Sequence, residues 1–213
     1  MKLRGLYAIT PDSTDSAWLI ERVGRALEHA ERGGWAALQY RNKQAGRAQR
    51  ACEARALAAL ARDKGVAFIV NDDVPLALEV GADGAHIGRD DGALGAARRM
   101  VGDRLLGASC YDRLDLARVA VASGANYVAF GSVFPSATKP HAARAPLALF
   151  GAARELGVPL VAIGGITLDQ APQVIAAGAD CVAVISDLFD APDVDARAKA
   201  YARLFQPHGL AIA

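Results

Sequence analysis

Two hydrophobic runs of the sequence each end in a pair of adjacent aspartates, in the segments IVNDDVP (69–75) and HIGRDDG (86–92). If both runs are strands of one parallel sheet, Asp72 and Asp91, or their neighbours, lie at the same edge of that sheet. Carboxylate oxygens that face phosphate oxygens suit Mg²⁺, and a metal would relieve the repulsion between the carboxylates. The alternative is that each pair opens a helix and caps its free backbone N–H groups. One aspartate of each pair can cap while the other binds metal, so both interpretations stay open.

A second group of polar side chains occupies the segment QYRNK (39–43). Successive side chains of a strand point to opposite faces, so Gln39, Arg41 and Lys43 share one face, whereas Tyr40 and Asn42 share the other. Two cations and an amide that converge at a strand end suit an anion such as phosphate or pyrophosphate. A solvated basic loop is the alternative.

Two further segments have the composition of phosphate-binding loops. SATK (136–139) places Lys139 beside two hydroxyl groups, although a surface turn would have the same composition. AIGGIT (162–167) has adjacent glycines after an apolar run, and such glycines let a phosphate approach backbone N–H groups. His86 lies within its own apolar run. Because no serine has a histidine and aspartate partner by motif, we do not expect a nucleophilic triad.

Eight short apolar runs, separated by segments with helical spacing, must position these groups. The runs span residues 6–10, 36–41, 66–71, 84–88, 105–109, 127–132, 159–165 and 181–186. Most are apolar at nearly every position, as in strands buried on both faces of a parallel sheet. A motif at 79–88 recurs at 122–131 and 176–185, with a weaker copy at 32–40.

This alternation predicts an α/β fold, a single (β/α)8 TIM barrel that forms one catalytic domain over residues 1–213. Active sites of such barrels lie at the C-terminal ends of the strands, where the polar groups above are found. A doubly wound sheet is the alternative. It usually carries a glycine fingerprint after the first strand, where this chain has YAITPDS.

The composition argues against several classes of protein. The chain has 213 residues, 53% of them hydrophobic, so it can bury a sizeable core. Lys plus Arg is 24 and Asp plus Glu is 23, a balance that argues against a dedicated nucleic-acid binder. No run is long enough for a signal peptide or a membrane span, so we expect no membrane partner and a cytoplasmic location. The three cysteines lack metal-ligand spacing. Association into a homo-oligomer is left open.

Taken in order, the motifs resemble the thiamine-phosphate synthase family along nearly the whole chain. The matching pieces are GLYAIT, LQYRNK, VNDD, GADGAHIGRDD, LLGAS, ANYVAFGSVFPSATK, VAIGGIT and VAVIS. The resemblance implies a transferase that joins a hydroxymethylpyrimidine diphosphate to a thiazole phosphate, releasing diphosphate and forming thiamine phosphate. It also implies that diphosphate leaves first and that the thiazole nitrogen captures the resulting pyrimidine cation.

The resemblance further implies a role for each matching residue. The substrate-binding set is Gln39, Tyr40, Arg41, Asn42, Lys43, Asn71, His86, Ser109, Ser136, Ala137, Thr138, Lys139, Gly165, Ile185 and Ser186. Residues 136–138, 165, 185 and 186 would receive the thiazole phosphate. The pyrimidine diphosphate would be held by Gln39, Arg41, Lys43, Asn71, Ser109 and Lys139, and His86 would lie near the pyrimidine. Arg41, Lys43 and Lys139 would be catalytic, because they neutralise the leaving diphosphate. Asp72 and Asp91 would bind Mg²⁺.

The sequence departs from the usual family pattern at three positions. Ser136 keeps the hydroxyl of a common threonine, Arg89 replaces a frequent glutamine, and Tyr111 stands where a histidine is common. The related thiazole tautomerase is associated with that histidine, so Tyr111 favours the synthase. Two further hypotheses compete with the synthase: a Schiff-base aldolase that uses Lys139 and a non-catalytic sensor of phosphate ligands. We expect residues 136–145 to form a mobile lid.

Overall fold

Eight parallel strands close into a barrel in the computed structural model, which describes residues 3–30, 33–88, 93–135 and 144–206. The strands are β1 (Gly5–Ile9), β2 (Trp35–Tyr40), β3 (Ala67–Asn71), β4 (Gly84–Ile87), β5 (Leu105–Tyr111), β6 (Tyr127–Phe130), β7 (Leu160–Ile163) and β8 (Cys181–Val184). Each strand pairs in parallel with the next in sequence, and β8 pairs with β1. The predicted (β/α)8 fold is confirmed, and the doubly wound sheet is excluded.

Helices follow the strands and cover the outside of the barrel. They are α1 (Ser16–Ala26), α2 (Arg47–Asp63), α3 (Val74–Glu79), α4 (Leu94–Val101), α5 (Leu114–Ala122), α6 (Ala148–Ala153), α7 (Ala171–Ala176), α8 (Ser186–Phe189) and α9 (Val194–Arg203). Helices α1, α3 and α9 are capped at their N-termini by Asp15, Asp73 and Asp193, whose side chains each accept a backbone N–H of the first turn. Within the described ranges, no helix combines the length and the apolar character needed to cross a bilayer.

The strand side chains alternate between two separate apolar layers. Leu6, Leu38 and Phe68 belong to the large layer between the strands and the helices. Tyr7 and Ile69 belong to a smaller cluster contributed mainly by the alternate strand positions, which fills the barrel. Because consecutive strand residues face opposite sides, both layers need apolar side chains, and the strands read as nearly continuous apolar runs.

One strand position is glycine because an aromatic ring occupies the space of its side chain. Gly107 on β5 lies against the ring of Tyr127 on β6, and a Cβ at Gly107 would overlap the ring atoms. Tyr127 is fully buried in the barrel, and its ring centroid lies 5.9 Å from that of Tyr7 on β1. The missing side chain therefore lets Tyr127 reach across the interior to another strand.

Candidate active site

The basic segment that follows β2 is held by the loop that follows β1. Thr10 Oγ1 accepts the backbone N–H of Arg41 at 2.8 Å and donates to the Arg41 carbonyl at 2.8 Å. Asp12 accepts the backbone N–H of Lys43 at 2.6 Å and pairs with Arg41 Nη1 at 3.0 Å. The neighbouring strand end thus fixes the backbone that carries the two cations at the carboxyl end of the barrel.

A cavity of about 380 Å³ lies between the segments that follow β2 and β3. Its lining residues are Tyr40, Arg41, Asn42, Lys43, Ala45, Arg50, Val70, Asn71, Asp72, Asp73 and Leu76. Three cations and two carboxylates border this space, so it suits an anion that is held by basic side chains, with oxygen ligands at one side.

The two aspartates after β3 do different work. Asp73 caps α3, because its carboxylate accepts the backbone N–H of Leu76 at 3.0 Å. Asp72 lies in the left-handed region, with φ of 62°, and its Oδ2 is 3.5 Å from Lys43 Nζ. Its backbone N–H donates to the His86 carbonyl on β4 at 2.8 Å. Of the two interpretations left open for this pair, the capping one is confirmed at Asp73, and metal binding by Asp72 stays a prediction.

Asp72 is a hard oxygen donor at the cavity edge, which fits the implied Mg²⁺ by ligand type. Asp91, the predicted second ligand, lies outside the described residues, as does its neighbour Asp90. In the described part of the chain, no group of three or more His, Cys, Asp or Glu side chains forms a metal-binding cluster. The metal site stays a prediction.

Tyr40 and Asn42 turn away from the barrel interior, as their alternation with Gln39 and Arg41 predicted. Both side chains meet Glu53 on α2: the Tyr40 hydroxyl donates to Glu53 Oε2 at 2.7 Å and Asn42 Nδ2 donates at 3.0 Å. Asn42 Nδ2 also donates to the Ser13 carbonyl at 2.7 Å. Their polar groups are engaged by the protein, which argues against the predicted substrate contacts through these side chains, although both residues border the cavity.

Glu53 is a fully buried carboxylate that the sequence interpretation did not identify. Ser16 Oγ and Gln49 Nε2 also donate to it, at 2.6 and 2.8 Å. Burial alone would raise the pKa of Glu53, but the hydrogen bonds from Ser16, Tyr40, Asn42 and Gln49 outweigh burial and hold its pKa below the ordinary value. The ionised group anchors the outer side of the segment that carries Arg41.

On the inner face, four of the predicted residues come together beneath the barrel mouth. Gln39 Nε2 donates to Asn71 Oδ1 at 2.8 Å, which joins β2 to β3. His86 Nε2 lies 2.9 Å from Ser109 Oγ, which joins β4 to β5. Gln39 is only 4% exposed, so it lies deeper than Arg41 and Lys43 rather than beside them at the rim.

Two tyrosines that the sequence interpretation missed connect these pairs. The Tyr7 hydroxyl donates to Gln39 Oε1 at 2.7 Å, and the Tyr7 and Tyr127 hydroxyls lie 2.7 Å apart. Tyr127 OH lies 3.2 Å from His86 Nδ1. The result is a hydrogen-bonded line across the barrel interior, which involves β1 to β6.

The adjacent glycines of the AIGGIT segment form a turn after β7, and phosphate binding there stays a prediction. Gly164 and Gly165 have φ of 103° and 64°, and a side chain at either position would overlap Ser132 or the Pro135 carbonyl. Asp187 ties this turn to α8 and α9, because its carboxylate accepts the Leu168 N–H at 3.2 Å and the Tyr201 hydroxyl at 2.6 Å. Ile185 and Ser186 lie where β8 gives way to α8, beside this turn.

Several predicted positions fall outside the described residues or differ from the family pattern. Ser136, Ala137, Thr138 and Lys139, most of the predicted lid and Arg89 lie outside the described ranges. Tyr111 ends β5 with φ of 54°, a left-handed conformation that is uncommon for an aromatic residue. The roles assigned to all these positions stay predictions.

The fold and the site define a class. A closed parallel barrel that gathers cations, amides and a glycine turn at the carboxyl ends of its strands has the architecture of barrel enzymes that act on phosphorylated substrates.

Comparison with known proteins identifies the family within that class. Residues 6–188 match the family described as thiamine monophosphate synthase. The chain is 60% identical over 206 residues to the thiamine-phosphate synthase of Aromatoleum aromaticum, with 96% of this chain and 97% of that protein covered. It is 55% identical to the thiamine-phosphate synthase of Chromobacterium violaceum, with coverage of 96% and 97%.

A solved structure, the thiamine phosphate pyrophosphorylase from Pyrococcus furiosus, superposes with a TM-score of 0.83 and 33% identity, covering 96% of both chains. The chain therefore belongs to the thiamine monophosphate synthase family, and it is a transferase. The resemblance on which the residue assignments depend is confirmed.

Proposed function

We propose that the protein condenses 4-amino-2-methyl-5-(diphosphooxymethyl)pyrimidine with a thiazole ethyl phosphate to give thiamine phosphate and diphosphate. The observation that carries this proposal is the cationic cavity at the carboxyl ends of β2 and β3, in a chain that is 60% identical to a thiamine-phosphate synthase over nearly its whole length. The cavity has the charge that a diphosphate ester needs, and the family match supplies the substrate class.

The cations would act on the leaving diphosphate. Arg41 and Lys43 already border the cavity, where their charges are balanced by Asp12 and Asp72. A diphosphate that enters this space would take over those cations, and Lys139 from the segment after β6 would add a third. Because these interactions strengthen as charge builds on the departing diphosphate, they lower the barrier rather than only holding the substrate.

Asp72 and Asp91 would hold a magnesium ion beside the diphosphate. When bound, the ion would supply Lewis-acid neutralisation of the diphosphate oxygens. The remaining residues of the mouth would bind and orient the pyrimidine diphosphate, with Gln39, Asn71, His86 and Ser109 beneath it. In this arrangement the side chains at the rim would neutralise charge, and those in the interior would orient the substrate.

The thiazole phosphate would bind on the opposite side of the mouth. Gly165, Ile185 and Ser186 border the turns after β7 and β8, which form the common phosphate site of this fold. Residues 136–138 would complete that site. With both partners aligned, loss of diphosphate leaves a pyrimidine-stabilised cation, and the thiazole nitrogen bonds to its methylene carbon. This chemistry depends on alignment and needs no strong general base.

Incubation of the pure protein with both substrates and Mg²⁺ tests the proposal, with thiamine phosphate measured as thiochrome fluorescence. We expect product that depends on both substrates and that is lost with EDTA and restored by added Mg²⁺. A parallel sample of an established synthase serves as the positive control. Absence of product beside an active control would overturn the proposal, and tight binding of thiamine phosphate in that case would indicate a phosphate-ligand sensor.

Lys43→Ala addresses the cationic cavity within this proposal. We expect kcat/KM to fall by about 100-fold, because one charge-assisted contact to the leaving group contributes roughly 2–4 kcal/mol. The matched control is Lys64→Ala, which removes an exposed lysine cation that donates to the Glu28 carbonyl, away from the site. Equal activity of the two variants would remove Lys43 from the site.

Several expectations from the sequence remain predictions. They are a cytoplasmic location, a single domain, and the absence of nucleic-acid and membrane partners. The oligomeric state stays open.

A further inference from the structure

Four of the six members of the hydrogen-bonded line inside the barrel carry a single polar hydrogen, and this limits how the line can be arranged. Its members, in order, are Asn71, Gln39, Tyr7, Tyr127, His86 and Ser109. A phenol hydroxyl or a neutral imidazole carries one polar hydrogen. Burial raises the pKa of both tyrosines well above the ordinary value, so each hydroxyl keeps its proton. Each hydroxyl can therefore donate to only one neighbour.

The direction of each bond then follows from the amide of Gln39. Tyr7 donates its only hydrogen to Gln39 Oε1, so Tyr127 must donate to Tyr7. Tyr127 then has no hydrogen left for His86, and Nδ1 of His86 must donate to the Tyr127 oxygen. In the neutral imidazole, Nε2 is left to accept the Ser109 hydroxyl. The tautomer of His86 is thereby linked to the orientation of an amide on the other side of the barrel.

A second complete arrangement reverses every bond. In it, Nε2–H of His86 donates to Ser109, Tyr127 donates to His86, and the amides of Gln39 and Asn71 are both rotated. A mixed arrangement would place two donors or two lone pairs face to face in a buried site, which is costly. The line therefore behaves as one unit with two directions.

The two directions present different groups at the cavity. In the observed direction Asn71 Oδ1 is used by Gln39, and Asn71 Nδ2 forms no hydrogen bond to the rest of the described chain, so its N–H groups are available to a ligand. Asn71 borders the cavity with Arg41 and Lys43. The reversed direction would put the amide oxygen toward the same ligand, where it would repel an anion.

We propose that Tyr7 and Tyr127 are positioning residues that set the direction of this line, so that Asn71 offers N–H donors to the anionic part of the substrate. They act through Gln39 and His86 and need not touch the substrate. The link between the tyrosine hydroxyls and the His86 tautomer follows from the hydrogen-bond geometry and does not depend on the proposed function. The consequence for turnover rests on the proposed function.

Nuclear magnetic resonance of protein labelled with ¹⁵N-histidine tests the link without any substrate. At about pH 8, where an ordinary imidazole is neutral, we expect His86 to be the Nδ1–H tautomer. Its signal is assigned as the one that is lost in His86→Asn, among the four histidines of the chain. Tyr127→Phe removes the acceptor of Nδ1–H, and we expect the Nε2–H tautomer to become populated. An Nε2–H tautomer in the wild type, or no change in Tyr127→Phe, overturns the proposal.

Tyr40→Phe is the matched control for this measurement. It removes a buried tyrosine hydroxyl from the same barrel wall, but one that faces Glu53 on the outer side. We expect the His86 tautomer to be unchanged in this variant. A change as large as that in Tyr127→Phe would show that loss of any wall hydroxyl has the same effect, and it would count against the line.

The two tyrosines should also differ in kinetics. Tyr7→Phe leaves Gln39 Oε1 without its donor, so the amides of Gln39 and Asn71 lose their fixed direction. We expect the KM for the pyrimidine diphosphate to rise about tenfold, with less than about twofold change in the KM for the thiazole phosphate. Tyr127→Phe keeps the Tyr7 donor to Gln39 and should raise the pyrimidine KM less. Equal changes in both KM values, or none, overturn the substrate part of the proposal.

The same ordering can be measured without turnover, through the affinity for inorganic diphosphate by titration calorimetry. Wild type should bind more tightly than Tyr127→Phe, and Tyr127→Phe more tightly than Tyr7→Phe. If the wild type forms no thiamine phosphate, the proposed function fails, and the histidine spectra still decide whether the line exists.

Discussion

Strand β2 carries two polar networks, one on each face, and they satisfy buried groups in different ways. On the outer face, one carboxylate, Glu53, accepts hydrogen bonds from four donors. On the inner face, Gln39 belongs to a line of neutral groups in which each hydrogen serves one contact. Alternating residues of a single strand therefore connect a charged centre outside the barrel with a neutral line inside it.

This difference indicates which network stabilises the fold and which network orients the groups of the site. A carboxylate has only acceptor sites, so the direction of every bond to Glu53 is fixed. The inner line consists of groups that can each donate or accept, so its direction depends on all its members. Changes to the outer network should therefore cost stability, and changes to the inner network should chiefly alter ligand preference.

Glu53→Ala should give the largest effect. Two buried and two half-buried donors lose their acceptor, and a cavity forms against β2, so we expect the free energy of unfolding to fall by about 3–5 kcal/mol. Urea denaturation followed by circular dichroism measures this change. Glu79→Ala, which breaks the exposed ion pair with Arg55, is the control and should cost less than about 1 kcal/mol. Similar losses in the two variants would refute a structural centre at Glu53.

Gly107→Ala should give the next largest loss of stability. It disturbs the inner network only through steric overlap with Tyr127. The added Cβ would meet the ring of buried Tyr127, and we expect a loss of about 1–3 kcal/mol in unfolding free energy. Gly151→Ala in α6 is the matched control: its Cβ meets nothing within 4 Å, and replacing a helical glycine should be neutral or stabilising by up to about 1 kcal/mol. Thermal melts of both variants provide the comparison.

A double-mutant cycle on Tyr7 and Tyr127 tests whether the inner groups act together. Each change to Phe should cost about 1 kcal/mol, and the double variant should lose less than the sum by roughly 0.5–1 kcal/mol. Tyr7 with Tyr201 forms the control cycle, since Tyr201 bonds to Asp187 and, among the described residues, shares no hydrogen-bond partner with Tyr7. Additive losses in the Tyr7 and Tyr127 cycle would mean that the two hydroxyls contribute independently.

Acidic pH should give the smallest change in stability. It should affect the charged outer network and leave the neutral inner network unchanged. The pKa of Glu53 is lower in the folded protein than its ordinary value. Its stabilisation is therefore present above the unfolded pKa of about 4.3 and is lost as the pH falls below it. Glu53→Gln should flatten the loss of stability in this acid range relative to wild type, whereas Tyr7→Phe should leave the acid dependence unchanged. Denaturation midpoints at a series of pH values measure this difference.

The sequence was sufficient to predict the barrel fold and the alternation of side-chain faces within QYRNK. Strands buried on two faces must be apolar nearly throughout, and this requirement allowed all eight strands to be located from the sequence. The same rule placed Gln39 and Tyr40 on opposite faces, as the bonds to Tyr7 and Glu53 confirm. Whether Asp72 or Asp73 capped the next helix could not be decided in advance, because both occupy positions where a cap is favourable.

The tyrosines of the inner line could not be recognised from local pattern. Tyr7 meets Tyr127 from a strand that is 120 residues away, and only the register of the closed barrel brings the two together. Their positions look like ordinary core positions of a strand. Glu53 did leave a signal, because it shares the helical spacing of Leu57 and Ala61 on the buried face of α2. A charge on that face marks a carboxylate that requires donors.

The bond between Tyr201 and Asp187 has a practical consequence for anyone who shortens or fuses this chain. Helix α9 lies outside the barrel wall, yet its tyrosine holds the same carboxylate that accepts the Leu168 N–H in the turn after β7. Removing α9, or pulling it away with a bulky fusion partner, would release the turn that follows β7. Loss of activity in such a shortened protein would then report on the support of that turn, and would wrongly suggest that α9 takes part in the chemistry.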